Sequence, residues 1–526
     1  MRLDRVYIDG FKNLKQLEVD FDERNLTTVL IGQNGAGKSN LIEAITQVFR
    51  WVDLRRQEPR FQYKVEYRID KARVSLSNIE GEPPIRVDGK EVKLTVFERR
   101  KSEWFPDLVF GYYSGGSRRL ESLFDSHQRR YYEAIKLEDN DHLVAKAQAE
   151  RRLFYCRPIH GILALMALFA FPDEKLTQEL SSKLGITGFH SLLALFREPW
   201  FARNKKKSAE RLPENFWGAA GTAGQTARAF KEQAFHPIPL TGNAIDDYRD
   251  KTQSESQYAT FLPTLNKLQS LASTFKSESK MFYALEAMDI SDLIREMLVW
   301  VKRNNDDSGD VGFADLSDGE RQLLMVLGLI RVSRGKRALF LLDEPDTHLN
   351  PHWQHSYLKL IEDWTGIAAE KDNCHVIIST HNPLTISALS RDEVRVLSTA
   401  DDGTVKCSAP YTDPKGMGFT ATLTEIFGLR TSLDIETQIL VDKRNVLAQL
   451  DKKSDEQEYE FIKINDQLAR LGFLFEDREP LYQDFLHALQ DVRYANRPPL
   501  TPHQVAQRHQ AMKTLIQRLM SKETDA

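Results

Sequence analysis

The spacing of apolar positions changes period several times along the chain, and each change predicts an element. Residues 26–31 (LTTVLI), 337–342 (RALFLL) and 374–379 (CHVIIS) are short, nearly continuous apolar runs that read as buried strands. Residues 40–50 instead place Leu41, Ile42, Ile45, Val48 and Phe49 at helical intervals, as do Leu323, Leu324, Val326, Leu327, Leu329 and Ile330 further on. Further strands are predicted at residues 2–8, 16–21 and 107–112, and a helix at 353–364. Residues 62–94 form an antiparallel set with turns at Glu80-Gly81 and Asp88-Gly89.

Between these two α/β regions, residues 116–306 suggest helices at 141–154, 160–171, 254–275 and 289–304. Pro158, Pro172, Pro199, Pro213 and the loop-like run from Gly218 to Gly224 interrupt them. No heptad is sustained, so a compact helical lid is expected rather than a coiled coil. Residues 431–526 read as helical and polar. Leu440, Val441, Val446, Leu447 and Leu450 form one stripe, Phe461, Ile464, Leu468 and Leu471 a second, and Thr501-Pro502 opens a last helix. The expected organisation is a first lobe (1–115), a helical insert (116–306), a second lobe completing the sheet (307–430) and a helical C-terminal segment (431–526).

Four polar runs fall at the ends of these elements. Gly32, Gln33, Asn34, Gly35, Ala36, Gly37, Lys38 and Ser39 lie between a strand and a helix, the context a phosphate-binding loop needs. Small residues let successive backbone N–H groups close on a β-phosphate at a helix N-terminus, Lys38 reaches the β/γ oxygens, and the Ser39 hydroxyl suits Mg²⁺. The run 340–349 (FLLDEPDTHL) delivers Asp343 and Glu344 at the carboxyl end of a strand. Asp343 is placed to hold Mg²⁺ and Glu344 to orient and polarise an attacking water. His381, in Ser379-Thr380-His381, follows by one helix and should lie beside them, near a γ-phosphate. Leu316 to Gln322 (LSDGERQ) sets Ser317 and Gly319 at a helix start, alone no more than an ordinary cap.

All four runs, in this order, resemble the ABC-type ATPases. The resemblance implies an α/β head with a two-lobed mixed sheet that binds ATP and Mg²⁺. It implies a homodimer or higher homo-oligomer in which Ser317 and Gly319 cap the γ-phosphate of the opposite protomer. In that pattern Glu344 is the catalytic base, His381 contacts the γ-phosphate, and residues 346–349 form the loop between the two sites. The glutamine usual after the first lobe is not evident, because residues 107–112 run into Tyr113-Ser114-Gly115-Gly116. The opening MRLDRVYIDGFKNL resembles the RecF, SMC and Rad50 group, in which the turn Gly10-Phe11-Lys12-Asn13 lies near the nucleotide base, so Asn13 joins the candidate site.

Composition narrows the class. The longest apolar run, residues 161–171, is about half a bilayer span, which sets the transporter branch aside and implies no membrane. Net charge is −4 over 526 residues, so there is no global basic field, and Cys156, Cys374 and Cys407 lack ligand spacing. With no signal-peptide profile, a cytoplasmic protein is expected. Basic clusters at 99–101, 118–119, 129–130, 151–152 and 203–207, near Tyr131, Tyr132, Trp200 and Phe201, suit contact with DNA, although most charge runs are solvated faces.

Residues 431–526 contain no Asp-x-Asp and almost no strand pattern, so the Toprim nuclease domain of OLD-type proteins is not expected and cutting would come from another subunit. Over most of its length the chain resembles the PtuA ATPases of Septu-type anti-phage systems, including retron-linked ones. The residues that carry this are Tyr112 to Gly115, Asp343 to Leu349 and Leu423 to Leu429. That resemblance implies a partner HNH endonuclease that the oligomer holds or restrains, and in retron systems a reverse transcriptase with its RNA–DNA product. The alternative is a RecF-like repair ATPase that clamps DNA in an ATP-dependent dimer.

Overall fold

The computed structural model describes residues 1–22, 24–135, 141–199, 212–243, 254–304, 308–333, 335–365, 373–400, 402–429, 433–450 and 453–472. They fall into two compact units, Met1–Ser432 and Leu433–Ala526. The first is organised around a seven-stranded sheet in the order Val405–Ser408, Val394–Thr399, Thr27–Gly32, Cys374–Ser379, Ala338–Asp343, Leu108–Tyr113 and Leu153–Tyr155. All neighbours in it are parallel except the first pair. The continuous apolar runs have the reason expected of them, since both faces are covered. Leu339 and Leu341 pack with Leu41, Ile45 and Phe49 of the helix Lys38–Leu54, while Phe340 and Leu342 pack with a second core on the opposite face.

Register places the chemistry. Along the acidic strand Asp343 pairs with Ser379 on one side and with Tyr113 on the other, so three strand ends meet at one edge of the sheet. A six-stranded antiparallel sheet, built from Arg2–Asp9, Leu17–Asp20 and the hairpins of residues 62–91, covers the phosphate-loop helix through Val6, Ile8, Val65 and Tyr67.

The insert departs from the helical lid expected of it. Ile186–Arg197, Phe235–Asn243, Ser254–Leu262 and Ile294–Arg303 form a four-stranded antiparallel sheet, so the helix expected at 289–304 is largely strand, and the one expected at 254–275 begins as strand and becomes helix only at Leu265–Ser273. Leu192, Ala194 and Phe196 in the first strand, and Met297, Val299 and Val301 in the last, are buried on alternate positions. That period of two is short and was obscured by apolar residues on the other face. Likewise residues 153–155 are strand, and the supposed glycine loop begins the helix Gly221–Gln233. The helix Ile159–Ala170 is a core helix as expected. It crosses the helix Asp318–Val332 so closely that a Cβ at Gly328 would lie 2.7 Å from Ala164 Cβ, and one at Gly161 2.9 Å from Phe313. The insert is therefore fused to the second lobe.

In the second unit, Ile435–Ala448 and Asp455–Arg470 pair as a hairpin around Leu447, Phe461, Ile464 and Leu468. Val446 and Leu471, expected in the stripes, are 63% and 59% exposed. The helix expected from Thr501 lies outside the described residues.

Candidate active site

The phosphate loop is shaped by positions that admit no side chain. Gly32 has φ +149°, and a Cβ there would stand 2.2 Å from the Leu397 carbonyl oxygen; Gly37, at φ +97°, would meet Leu14 at 2.6 Å. The turn closes as the Ala36 N–H donates to the Gln33 carbonyl at 3.1 Å. Asn13 braces the loop from outside, donating to the Gly35 carbonyl at 2.8 Å and accepting from Asn40 at 2.7 Å. It thus touches the loop backbone, and is not among the residues lining the adjoining cleft of about 460 Å³.

Lys38 is 4% exposed. Its ammonium donates to the carbonyls of Gly32 (2.8 Å) and Gln33 (3.3 Å) and lies 3.2 Å from His381 Nδ1. Burial lowers its pKa to about 8, against the opposing pull of Glu344 and Asp343. Asp343 is 1% exposed. Its Oδ1 accepts from the hydroxyls of Ser39 (2.9 Å) and Ser379, and its Oδ2 faces Arg119 Nη2 at 3.3 Å. Burial pushes the Asp343 carboxyl up, while the two hydroxyls and the guanidinium oppose the rise.

Glu344 adopts φ +54°, a conformation that side chains other than glycine seldom take. Its N–H holds the turn by donating to the Ser379 carbonyl (3.0 Å) and Oγ (3.2 Å). The Glu344 carboxylate lies 2.8 Å from His381 Nε2, and the hydrogen bond from that ring holds its pKa below the ordinary value. An ammonium can only donate and a carboxylate only accept. His381 between them therefore accepts at Nδ1 and carries its proton on Nε2.

The structure thus brings Lys38, Ser39, Glu344 and His381 to one cleft, together with Asn34 and Gly35 of the loop, and sets Asp343 beneath it, in hydrogen bond with Ser39. A hydroxyl and a carboxylate that share a hydrogen bond are an oxygen donor pair suited to Mg²⁺, which keeps water and takes phosphate oxygens as its other ligands. Ser317 and Gly319 are not among the residues lining this cleft. Ser317 is the exposed N-cap of the helix Asp318–Val332, in a capping box with Glu320. Gly319 is buried against the residue 346–349 loop, where a Cβ would stand 2.6 Å from the His348 carbonyl oxygen.

Arg119 and Gln322 are contributors that the local pattern does not single out, and Asp346, expected as part of the 346–349 loop, also has a buried anchoring role. Arg119 lines the cleft on the side where the resemblance implies a glutamine. Gln322 donates to the Tyr112 hydroxyl (2.9 Å) and accepts from the His348 N–H (3.3 Å), tying the Ser317 helix to a strand end and to the 346–349 loop. A buried polar residue within the LSDGERQ run was the available signal. Asp346, buried, accepts from Thr380 (2.7 Å) and Thr385 and so anchors that loop from beneath.

Among the described residues, several members of the basic clusters are held in ion pairs. Arg151 is buried in a bidentate pair with Glu286 over the Tyr131 ring, Arg130 pairs with Glu150, and Arg152 lies near Asp53. Arg118 pairs with Glu121 and Asp125, and Arg100 with Glu103. Trp200, Phe201 and residues 203–207 lie outside the described residues. Among the described residues no helix is long and apolar enough to cross a membrane.

The chain is 20% identical over 444 residues to a retron Vc95 probable ATPase of Vibrio cholerae serotype O1 biovar El Tor, covering 79% of this chain and 77% of that one. A 45-residue stretch is 49% identical to the DNA replication and repair protein RecF of Lactobacillus acidophilus, covering 9% of this chain and 12% of that one. Among solved structures, an Smc head domain with an extended coiled coil, bound to the C-terminal domain of ScpA from Pyrococcus furiosus, matches with TM-score 0.32 and 13% identity. That match covers 78% of this chain and 96% of the other. The recombination mediator RecF with ATP matches with TM-score 0.31 and 15% identity, covering 78% and 98%. A family model, AAA_21, described as "AAA domain, putative AbiEii toxin, Type IV TA system", matches residues 27–387, more than half of the chain. The chain therefore belongs to that AAA family.

Proposed function

We propose that this ATPase binds ATP with Mg²⁺ in the cleft at Lys38, hydrolyses it between paired heads, and uses the paired state to hold or restrain a partner nuclease in antiviral defence. The observation that carries the catalytic part is the Lys38–His381–Glu344 chain of contacts beside Asp343. Ser39 and Asp343 hold the cation, and Lys38 with the loop N–H groups holds the β- and γ-phosphates. Glu344, kept ionised by His381, receives the attacking water's proton, and His381 turns its Nε2–H toward the γ-phosphate or the carboxylate as charge develops. Ser317, at an exposed helix N-terminus, caps the γ-phosphate of a second copy of the chain, and Gly319 behind it lets the helix start pack against the 346–349 loop.

The biological part rests on similarity to the retron ATPase across most of both chains. In this reading the partner is an HNH-type endonuclease, joined in a retron setting by a reverse transcriptase and its RNA–DNA product, in the cytoplasm. The C-terminal unit is the docking element, since Val446, Tyr459 and Ile462 present apolar surface on its hairpin. The second reading, a RecF-like clamp on DNA, is favoured by the 45-residue match to RecF. Among the described residues, Arg151 of the basic clusters is taken up in a buried pair with Glu286, and Arg118 and Arg130 pair with acidic neighbours at the surface.

Purification of the tagged protein from its native operon, as wild type, Glu344→Gln and a truncation at residue 431, separates the two. A stoichiometric nuclease that co-elutes with wild type and disappears on truncation supports the gated-nuclease reading. A lone dimer that retains only DNA in the Glu344→Gln form overturns it in favour of the clamp.

A further inference from the structure

Asp343 is the most deeply placed carboxylate of the cleft, and its two oxygens have different partners. Oδ1 is taken by the hydroxyls of Ser39 and Ser379, whereas Oδ2 has a cation, Arg119 Nη2, at 3.3 Å. The Asp343 side chain is 2% exposed, so an ionised carboxylate there needs a positive neighbour. Lys38 acts on Asp343 through space only, because the hydrogen bonds of its ammonium go to two loop carbonyls and its third close neighbour is His381.

Arg119 reaches this place through the sheet register. Tyr113 pairs with Asp343, and the segment that leaves Tyr113 turns back so that the Arg119 guanidinium lies over the Tyr113 ring, 5.0 Å from its centroid. The preceding residue fixes the turn, since Arg118 pairs with Glu121 (3.0 Å) and Asp125 (3.4 Å). Arg119 itself is 35% exposed and borders the open cleft, so its side chain can swing without unfolding the loop.

We propose that Arg119 and a divalent cation compete for the Asp343 carboxylate, and that the phosphates of the nucleotide draw Arg119 across the cleft and so admit the cation. This deepens the proposed ATP and Mg²⁺ site and rests on it. Two cations cannot share one carboxylate oxygen without strong repulsion, so the guanidinium opposes metal bound alone. A planar guanidinium matches phosphate oxygens with two parallel hydrogen bonds, and the cleft wall that Arg119 shares with Lys38 and His381 gives it such a target. Metal and nucleotide then bind as a pair, because each relieves a cost that the other meets alone. Arg119 thus contacts Asp343 when the cleft is empty and the phosphates when nucleotide is bound.

Mn²⁺ binding to the full chain, read by the electron paramagnetic resonance signal of the free ion, tests this with and without a non-hydrolysable ATP analogue. In Arg119→Gln, Mn²⁺ alone binds about five- to tenfold more tightly than in wild type, the range set by a half-exposed ion pair. Arg119→Lys, which keeps the charge, stays near wild type, and analogue without metal binds Arg119→Gln more weakly. Unfolding temperatures equal to wild type show that the variants compare like with like. Equal Mn²⁺ affinity in wild type and Arg119→Gln without nucleotide, with Mn²⁺ still held alongside the analogue, overturns the competition and leaves the ATP and Mg²⁺ site standing. Failure of every protein to hold Mn²⁺ even with the analogue overturns both.

Discussion

His381 Nε2 lies 2.8 Å from Glu344 Oε1, and the far side of the same ring lies 3.2 Å from the Lys38 ammonium. The two groups thus communicate through one imidazole that is polarised from both ends.

Glu344→Gln should lower ATP turnover by about 10²–10⁴-fold and leave ATP binding intact, because only proton acceptance is removed. His381→Ala should cost less, about 10-fold or more, since Glu344 remains but is no longer oriented. Phosphate release under single-turnover conditions, beside equilibrium binding of a fluorescent nucleotide, checks both. Equal loss of binding and turnover would contradict the assigned roles.

ATP affinity should weaken as pH rises through about 8. Burial lowers the Lys38 pKa to about 8, so below that pH the ammonium is present and above it an increasing share of the protein offers a neutral amine to the phosphates. Bound phosphate raises this pKa, and the limiting loss is about tenfold per pH unit. Calorimetric titration between pH 7 and 9.5, with Lys38→Arg as a control that stays charged, gives the profile.

Gly319→Ala should impair turnover more than folding. Its new methyl would stand 2.6 Å from the His348 carbonyl oxygen, displacing the 346–349 loop that Gln322 and Asp346 hold in place. A stability loss of about 1–3 kcal/mol is expected from such overpacking. Thermal melting and ATPase assays on the same preparation separate the two effects.

Glu286→Gln should cost about 3–5 kcal/mol, since it leaves Arg151 buried without its counter-charge. The pair is bidentate, at 2.7 and 2.9 Å, and both side chains are almost fully buried. The Arg151 charge holds the Glu286 carboxyl well below its ordinary pKa although burial alone would raise it. Its stabilisation is therefore present above the ordinary glutamate pKa and is lost as pH falls toward the depressed one. Denaturant titrations at pH 7 and pH 4 should show the variant's deficit shrinking at the lower pH.

The phosphate loop, the acidic strand and the His381 turn were legible because each is a local run whose backbone conformation depends on its own residues. Gly32 and Gly37 need positive φ, and residues 338–343 and 374–379 are apolar because a parallel sheet buries both faces. The neighbour relation of Asp343 and Ser379 also followed from one intervening helix.

Tertiary structure alone decided the rest. The strand Ile294–Arg303 carries apolar residues that fit either period, and only pairing with Ile186–Arg197 selects strand over helix. Arg119 stands 224 residues from Asp343, Gln322 210 from Tyr112, and Glu286 135 from Arg151. Local pattern says which element a residue joins, but which charges meet depends on sheet order and register, fixed only when distant segments share a core.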